Sequence, residues 1–416
     1  MKKRVLTLSL FMLILLLFSG CTEVNYNNEI KTDEDKQTNE PAEIIEPKEE
    51  IDDILIQIEN MSLKEKIGQL LIVGLTGQAL NDEIKSLIND YKIGGFIFFG
   101  RNISNADQTF KLINDIKKEN VNNIPLFISI DEEGRVSRLS DEFHKLPAAK
   151  TIGDINDKDL SYTYGKIIAD RLNVLGFNLN FAPVLDINSN SDNPVIGDRA
   201  FADNESVVSE SGLSVALGIK ENNIISVVKH FPGHGDTKVD SHVSLPIINK
   251  TRKKLNRLEI MPFKKAIAKK IDAVMVGHVL YNQIDENLPA TMSKIIITDI
   301  LRNNLSFDKV VFSDDMTMGA IIKNYSIEDA SVKFLQAGGD VLLICHGNLN
   351  PKLVLESIKK AINDNVISEK EIDEKVYRIL TLKKQYNLNN NILGDLNIDE
   401  LNIETNDLLE NIAKLK

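Results

Sequence analysis

Ile225-Ser226-Val227-Val228-Lys229-His230 is a short apolar run that stops at two polar residues. It is nearly continuous rather than alternating, the pattern of a parallel strand buried on both faces. The same figure recurs along the chain. Leu70–Leu75, Gly95–Gly100, Leu126–Asp131 and Asn178–Asp186 come before it, and Ala273–Val279, Val310–Asp314 and Val341–His346 after it. Stretches with helical spacing lie between, among them Glu83–Tyr91, Asn105–Lys118 and Asp159–Leu175. Ser62-Leu63-Lys64-Glu65 is a capping box that opens a helix ahead of the first run. This alternation predicts an α/β fold, a (β/α)8 barrel of the TIM type. A doubly wound open sheet is the other arrangement it allows.

Polar groups at the carboxyl ends of barrel strands point into the active site. Here those ends are Asp131-Glu132-Glu133, Asp186, Lys229-His230, Gly277-His278, Ser313-Asp314-Asp315 and His346. All of the 6 histidines except His144 fall at these ends or in the loop after the fifth run. A merely solvated surface would scatter them. Taken singly, His278 and His346 also fit a strand cap or a satisfied polar layer.

The densest segment runs from Lys229 through Phe231-Pro232-Gly233-His234-Gly235-Asp236 to Asp240-Ser241-His242. Its proline and two glycines disfavour a helix, so His230 and His234 do not share a helical face as in a zinc protease motif. A metal held by His230, His234 and His242 from a loop is one reading. The other pairs Asp240 with His242: a bonded carboxylate fixes the tautomer of the imidazole and yields a proton donor that can reverse into a base. Gly233 and Gly235 flank His234 and are expected to leave this backbone free to move.

Lys229–His242 resembles the signature of bacterial β-N-acetylhexosaminidases of glycoside hydrolase family 3. Other pieces agree in order: Ile130-Asp131 to Arg138, Phe181–Asp186, Asn188 to Arg199, Val274–Tyr281 and Phe312-Ser313-Asp314. The resemblance covers about residues 55–385 and itself implies the barrel. It implies a retaining exo-hydrolase that releases β-linked N-acetylglucosamine from cell-wall fragments or related glycans, with neither cofactor nor metal. Asp314 matches the family's nucleophile and His242 its acid/base, partnered by Asp240. Asp131, Arg138, Arg199, Lys229 and His230 match its sugar-binding groups. The chain departs from the family in one place. It reads Asp131-Glu132-Glu133-Gly134-Arg135, one glycine short, which bears on the register of Arg138.

The chemistry of the residues stands beside the resemblance. A retaining glycosidase needs a carboxylate on one side of the anomeric carbon and a proton donor on the leaving-group side. Asp314 at a rigid strand end suits the first role. His242 on a loop suits a donor that swings in with substrate. Asp315 is the neighbouring carboxylate, and alternation along a strand should point it elsewhere. The chain has 0 Trp, which favours a short pocket over a long polysaccharide cleft. Two further readings keep the fold and change the chemistry: a phosphorylase that uses phosphate as acceptor, and a non-catalytic sugar-binding lipoprotein. A family 3 β-glucosidase fits less well, because such enzymes generally take their acid/base from a second domain.

The amino-terminal segment reads as an export signal. Lys2, Lys3 and Arg4 precede the apolar run Val5–Phe18, which ends at Ser19-Gly20-Cys21. This resembles a lipobox, so residues 1–20 are expected to be cleaved and Cys21 lipidated. Residues 21–50 are acidic and poor in large apolar side chains, which predicts a disordered tether. The barrel is then expected over 51–390 and a carboxyl-terminal tail over 391–416, with the protein outside the cytoplasm on a lipid anchor. The formal net charge of −12 offers no basic excess for a nucleic acid. Only 2 Cys are present, and Cys345 sits in an apolar run, so it is read as a buried structural thiol.

Overall fold

The computed structural model describes residues 52–416. The expected signal segment, the Cys21 lipidation site and the acidic tether lie outside them. Eight parallel strands close into a barrel: β1 (Leu71–Gly74), β2 (Gly95–Phe98), β3 (Phe127–Ile130), β4 (Leu179–Asn180), β5 (Ile225–Phe231), β6 (Ala273–Val276), β7 (Val310–Asp315) and β8 (Val341–Ile344). Each strand pairs with its neighbours in sequence, and β8 closes on β1 through Leu71↔Leu342 and Val73↔Ile344. The order is that of a (β/α)8 barrel, not of an open doubly wound sheet. All eight predicted runs become barrel strands.

The strands are short because their ends turn to other work. β4 covers only two residues of the predicted Asn178–Asp186. Pro183 has no N–H to offer a ladder. Beyond it the chain touches β5 at a single bridge, Val184↔Lys229, with Leu185 N donating to Lys229 O at 2.6 Å. Phe181, at the start of this irregular stretch, packs edge-on against Phe312 of β7 with centroids 5.7 Å apart. Phe127 meets the same ring from β3 at 6.2 Å. Each such fully buried ring stabilises the barrel by roughly 1.5–3 kcal/mol of removed apolar surface.

The helices start where side chains supply caps. Ser62 and Glu65 form the reciprocal capping box of helix Leu63–Gln69. Asn105 accepts from Gln108 N ahead of helix Ala106–Glu119, and Asp157 accepts from Leu160 N ahead of Lys158–Leu175. The floor of the barrel is closed by Lys383, whose Nζ donates to Gln69 Oε1 at 2.7 Å and Gly94 O at 3.0 Å. Burial pushes that amine down to about 7.

Within the segment expected as a tail, 391–416, a helix runs Asp399–Leu415 and buries Thr405, Leu408 and Ile412. It lies against helix Lys158–Leu175, and Asp52–Lys416 form one unit.

Candidate active site

The carboxyl ends of the strands surround a cavity of about 230 Å³. That is small beside ligand pockets of roughly 300–1,000 Å³, so it suits one small ligand rather than a long chain. Asp131, Arg138, Arg199, Lys229, His230, His242 and Asp314 all line it. Asp240 stands behind His242.

On one wall four charges interlock. Lys229 Nζ lies 2.7 Å from both Asp131 Oδ1 and Glu133 Oε1. Arg199 clamps Glu133 with Nε–Oε2 at 2.8 Å and Nη2–Oε1 at 2.7 Å. Burial alone would neutralise such groups. For Glu133 burial pushes the pKa up, but Lys229 and Arg199 outweigh it and hold the carboxyl well below its usual range. Lys229 is the mirror case: burial lowers it, and Asp131 and Glu133 more than restore it. The wall is therefore a charged, preorganised array of donors and acceptors. Arg138 adds a donor, since its Nε is buried without a protein partner. The missing glycine has not carried Arg138 away from the cavity. Gly134 alone makes the turn at φ +101°, where a Cβ would meet the Tyr164 hydroxyl at 1.6 Å.

Lys229 and His230 are adjacent and both line the cavity, where a regular strand would send them to opposite faces. The register of β5 against β6 slips between Val228 and Phe231, which breaks the alternation. His230 is then fixed by Asp186, Nδ1 to Oδ2 at 2.6 Å. The same fully buried carboxylate accepts His234 N at 2.6 Å.

His234 is buried. Its Nε2 meets Ser241 Oγ and its Nδ1 meets Thr237 Oγ1, both at 3.1 Å. Burial, then the neighbouring His230, push it down to about 4. Both ring nitrogens of His234 are engaged, so of the loop-borne triad His230, His234 and His242 the middle member has no free nitrogen to offer a metal. Among the described residues no group of three or more His, Cys, Asp or Glu is arranged to hold a metal ion. Gly235 does not loosen this backbone as expected. A Cβ there would strike Ile187 O at 1.7 Å, so the glycine serves a close approach and this half of the loop is locked.

The other half is open. Asp240 Oδ1 accepts from His242 Nδ1 at 2.9 Å and from His242 N at 2.8 Å. The imidazole is 66% exposed and lines the cavity, with Nδ1 taken by Asp240. Burial raises Asp240, but its hydrogen bonds to His242 and the charge of that ring together outweigh it and hold the carboxyl below the usual carboxylate range.

Asp314 is the penultimate residue of β7 and is half-buried. Burial raises its pKa, and His278 and His230, with a hydrogen bond from Asp315 N, bring it below the ordinary value. Asp315 departs from expectation, because it also lines the cavity. The pairing of β7 with β8 shifts between Val341 and Leu343, so alternation fails at this point. What separates the two aspartates is occupancy. Asp315 Oδ1 accepts from Thr317 N at 2.9 Å, Thr317 Oγ1 at 2.6 Å and Cys345 N at 3.1 Å. His278 is the satisfied polar residue of the layer below, with Nδ1 bonded to Thr291 Oγ1 at 2.8 Å and Nε2 donating to Asp315 O at 2.9 Å. Cys345 is buried, as read from its apolar run, and has no disulfide partner among the described residues.

Residues 62–382 match the family described as Glycosyl hydrolase family 3 N terminal domain. The chain belongs to glycoside hydrolase family 3. This family 3 hydrolase is 33% identical over 315 residues to a β-hexosaminidase of Idiomarina loihiensis, covering 74% of this chain and 92% of that one. A β-hexosaminidase A of Pseudoalteromonas piscicida is also 33% identical over 330 residues, but the matched part spans only 55% of that longer protein. The family 3 β-N-acetylglucosaminidase of Paenibacillus sp. FPU-7 superposes with a TM-score of 0.82 at 37% identity, covering 85% of this chain and 69% of the other. The hydrolase is thus a β-hexosaminidase-type glycoside hydrolase with a carbohydrate substrate.

Two residues of the site carried no assigned role in the sequence. Glu133 is the hub of the charged wall, and its signal was its place two after Asp131 at a strand end. Asp186 orients His230 and was visible only as a polar strand terminus.

Proposed function

We propose that this hydrolase is a retaining exo-acting β-N-acetylglucosaminidase with Asp314 as nucleophile and His242, held by Asp240, as acid/base. The observation that carries this reading is one cavity lined by two complementary groups: the ionised carboxylate of Asp314 and an imidazole whose Nδ1 is bonded to a second carboxylate. In the first step the Asp314 carboxylate forms a bond to the anomeric carbon, the glycosidic C–O bond breaks, and the leaving oxygen takes the proton from His242 Nε2. In the second step His242 Nε2 takes a proton from water, the water oxygen bonds to the anomeric carbon, and the ester to Asp314 breaks. Asp240 keeps the proton of Nδ1 throughout and so fixes the working tautomer. Asp131, Arg138, Arg199, Lys229 and His230 bind the hydroxyls of the sugar.

The substrate is a cell-wall fragment or related glycan with a terminal β-linked N-acetylglucosamine. The small cavity supports an exo mode, and the lipobox-like Ser19-Gly20-Cys21 supports a lipid anchor at Cys21 and an extracytoplasmic location. The test is hydrolysis of a chromogenic β-N-acetylglucosaminide against the matching β-glucoside. Preference for the first is expected. Preference for the glucoside, or no turnover of either, overturns the reading, and release of a sugar phosphate only when phosphate is present would favour a phosphorylase.

A further inference from the structure

The loop after β3 carries Asp131, Glu133 and Arg138, and it is long, reaching Pro147 before the next helix begins. Such a loop needs outside support to hold these three side chains in place. Tyr164, fully buried in helix Lys158–Leu175, bonds to both ends of it, Glu133 O at 3.0 Å and Pro147 O at 2.8 Å. The tip is held by the carboxyl-terminal helix. Asn402 Oδ1 accepts from His144 N at 2.9 Å, and Asn402 Nδ2 donates to Glu142 O at 2.8 Å. Asn406 Oδ1 meets His144 Nδ1 at 2.8 Å. Arg171, 2% exposed, bridges the same two elements, with Nη2 donating to His144 O at 2.5 Å and to Thr405 Oγ1 at 2.6 Å. Residues 402, 405 and 406 share one helical face.

A route runs from this face back to the cavity. Arg171 acts electrostatically on Glu132, which is completely buried between the two wall residues Asp131 and Glu133. Glu132 Oε2 in turn accepts from Arg138 N at 3.3 Å. The helix lies wholly beyond residue 382, where the match to the family ends.

We infer that the helix Asp399–Leu415 is a clasp on the β3 loop, and that Asn402, Thr405 and Asn406 are positioning residues for the sugar-binding wall. The inference rests on the proposed role of Asp131 and Arg138 as substrate ligands. The clasp sets substrate affinity and leaves the reacting carboxylate and imidazole, which sit on β7 and on the loop after β5, unchanged.

The experiment uses the whole chain with the double variant Asn402→Ala/Asn406→Ala. Amide hydrogen exchange over residues 133–146 should quicken by about ten-fold, with the barrel strands unaltered. KM for a chromogenic β-N-acetylglucosaminide should rise by roughly five- to ten-fold while kcat changes less than about two-fold, the signature of lost uniform binding. Asn406→Asp keeps the acceptor facing His144 and should retain the parent KM. Ile379→Val, a core change in helix Glu369–Gln385, reports the effect of lowered stability alone and should leave KM in place. Unchanged exchange in the loop, a parent-like KM in the double variant, or a KM shift reproduced by Ile379→Val overturns the clasp. Inactivity of the parent enzyme on the glycoside would count against the hexosaminidase reading instead, and the exchange pattern would then decide the clasp by itself.

Discussion

The guanidinium of Arg199 holds the Glu133 carboxylate through two parallel hydrogen bonds, Nε–Oε2 at 2.8 Å and Nη2–Oε1 at 2.7 Å, while Lys229 takes the remaining approach to Oε1 at 2.7 Å. Removing the Glu133 charge leaves Arg199 without its carboxylate and Lys229 with Asp131 alone. Breaking a buried pair in this way costs about 3–5 kcal/mol. Glu133→Gln should therefore lower the unfolding free energy by roughly 3 kcal/mol at neutral pH. The folded pKa of Glu133 lies below the unfolded value of 4.5, so its contribution is present above 4.5 and fades as pH falls through the folded value. Urea titrations at neutral and acid pH check both points. A loss under about 1 kcal/mol, or a gap between parent and variant that does not shrink in acid, would show that the wall is not a coupled ion cluster.

His234 gives a second pH signature of the same sense. Its folded pKa is about 4 against 6.5 unfolded, so between those values the unfolded chain binds more protons. Stability should fall as pH drops through that window, by about 2 kcal/mol from pH 7 to 5 for this one group. His234→Asn should remove that slope. Persistence of the full slope in the variant would mean that another group, and not His234, carries it.

Asp240→Ala should lower turnover by roughly 10²–10³-fold on a disaccharide, the usual scale of acid–base help. A nitrophenyl glycoside, whose leaving group needs little protonation, should suffer less. Equal losses on the two substrates would remove Asp240 from the pair.

Much of this was legible in the chain and some was not, for definite reasons. Eight apolar runs became eight strands because a barrel strand is buried on both faces and writes itself as a continuous run. The cavity residues were legible because the barrel gathers strand ends. What failed was local alternation. It sent Asp315 away from the mouth, whereas the shifted pairing of β7 keeps it there, bonded to Thr317 and Cys345. Glycine chemistry misled at Gly235, since conformational freedom and close approach to Ile187 leave the same mark in a sequence. The segment 391–416 reads as a tail because the contacts of its helix, Asn402 to His144 among them, join residues 258 apart in the chain.

The histidine loop predicts indifference to chelators. With both nitrogens of His234 engaged and His230 Nδ1 on Asp186, the proposed mechanism gives the electrophilic work to a proton rather than an ion. Full activity is expected after exhaustive EDTA dialysis. A His242→Ala enzyme acting on an activated glycoside should regain part of its lost rate with azide, which attacks the glycosyl-enzyme without base help. Activity lost on chelation and restored by zinc would replace the proton-donor mechanism with a metal one.

The central claim is that Asp314, and not its neighbour, forms the covalent intermediate. A slow fluorinated substrate should trap that intermediate, and peptide mapping of the labelled protein reads the attachment site directly. The account predicts label on Asp314, whose carboxylate accepts only the Asp315 N–H among the described residues, and none in an Asp314→Asn enzyme, which should be nearly inactive. Label on Asp315, or on no carboxylate at all, would contradict it.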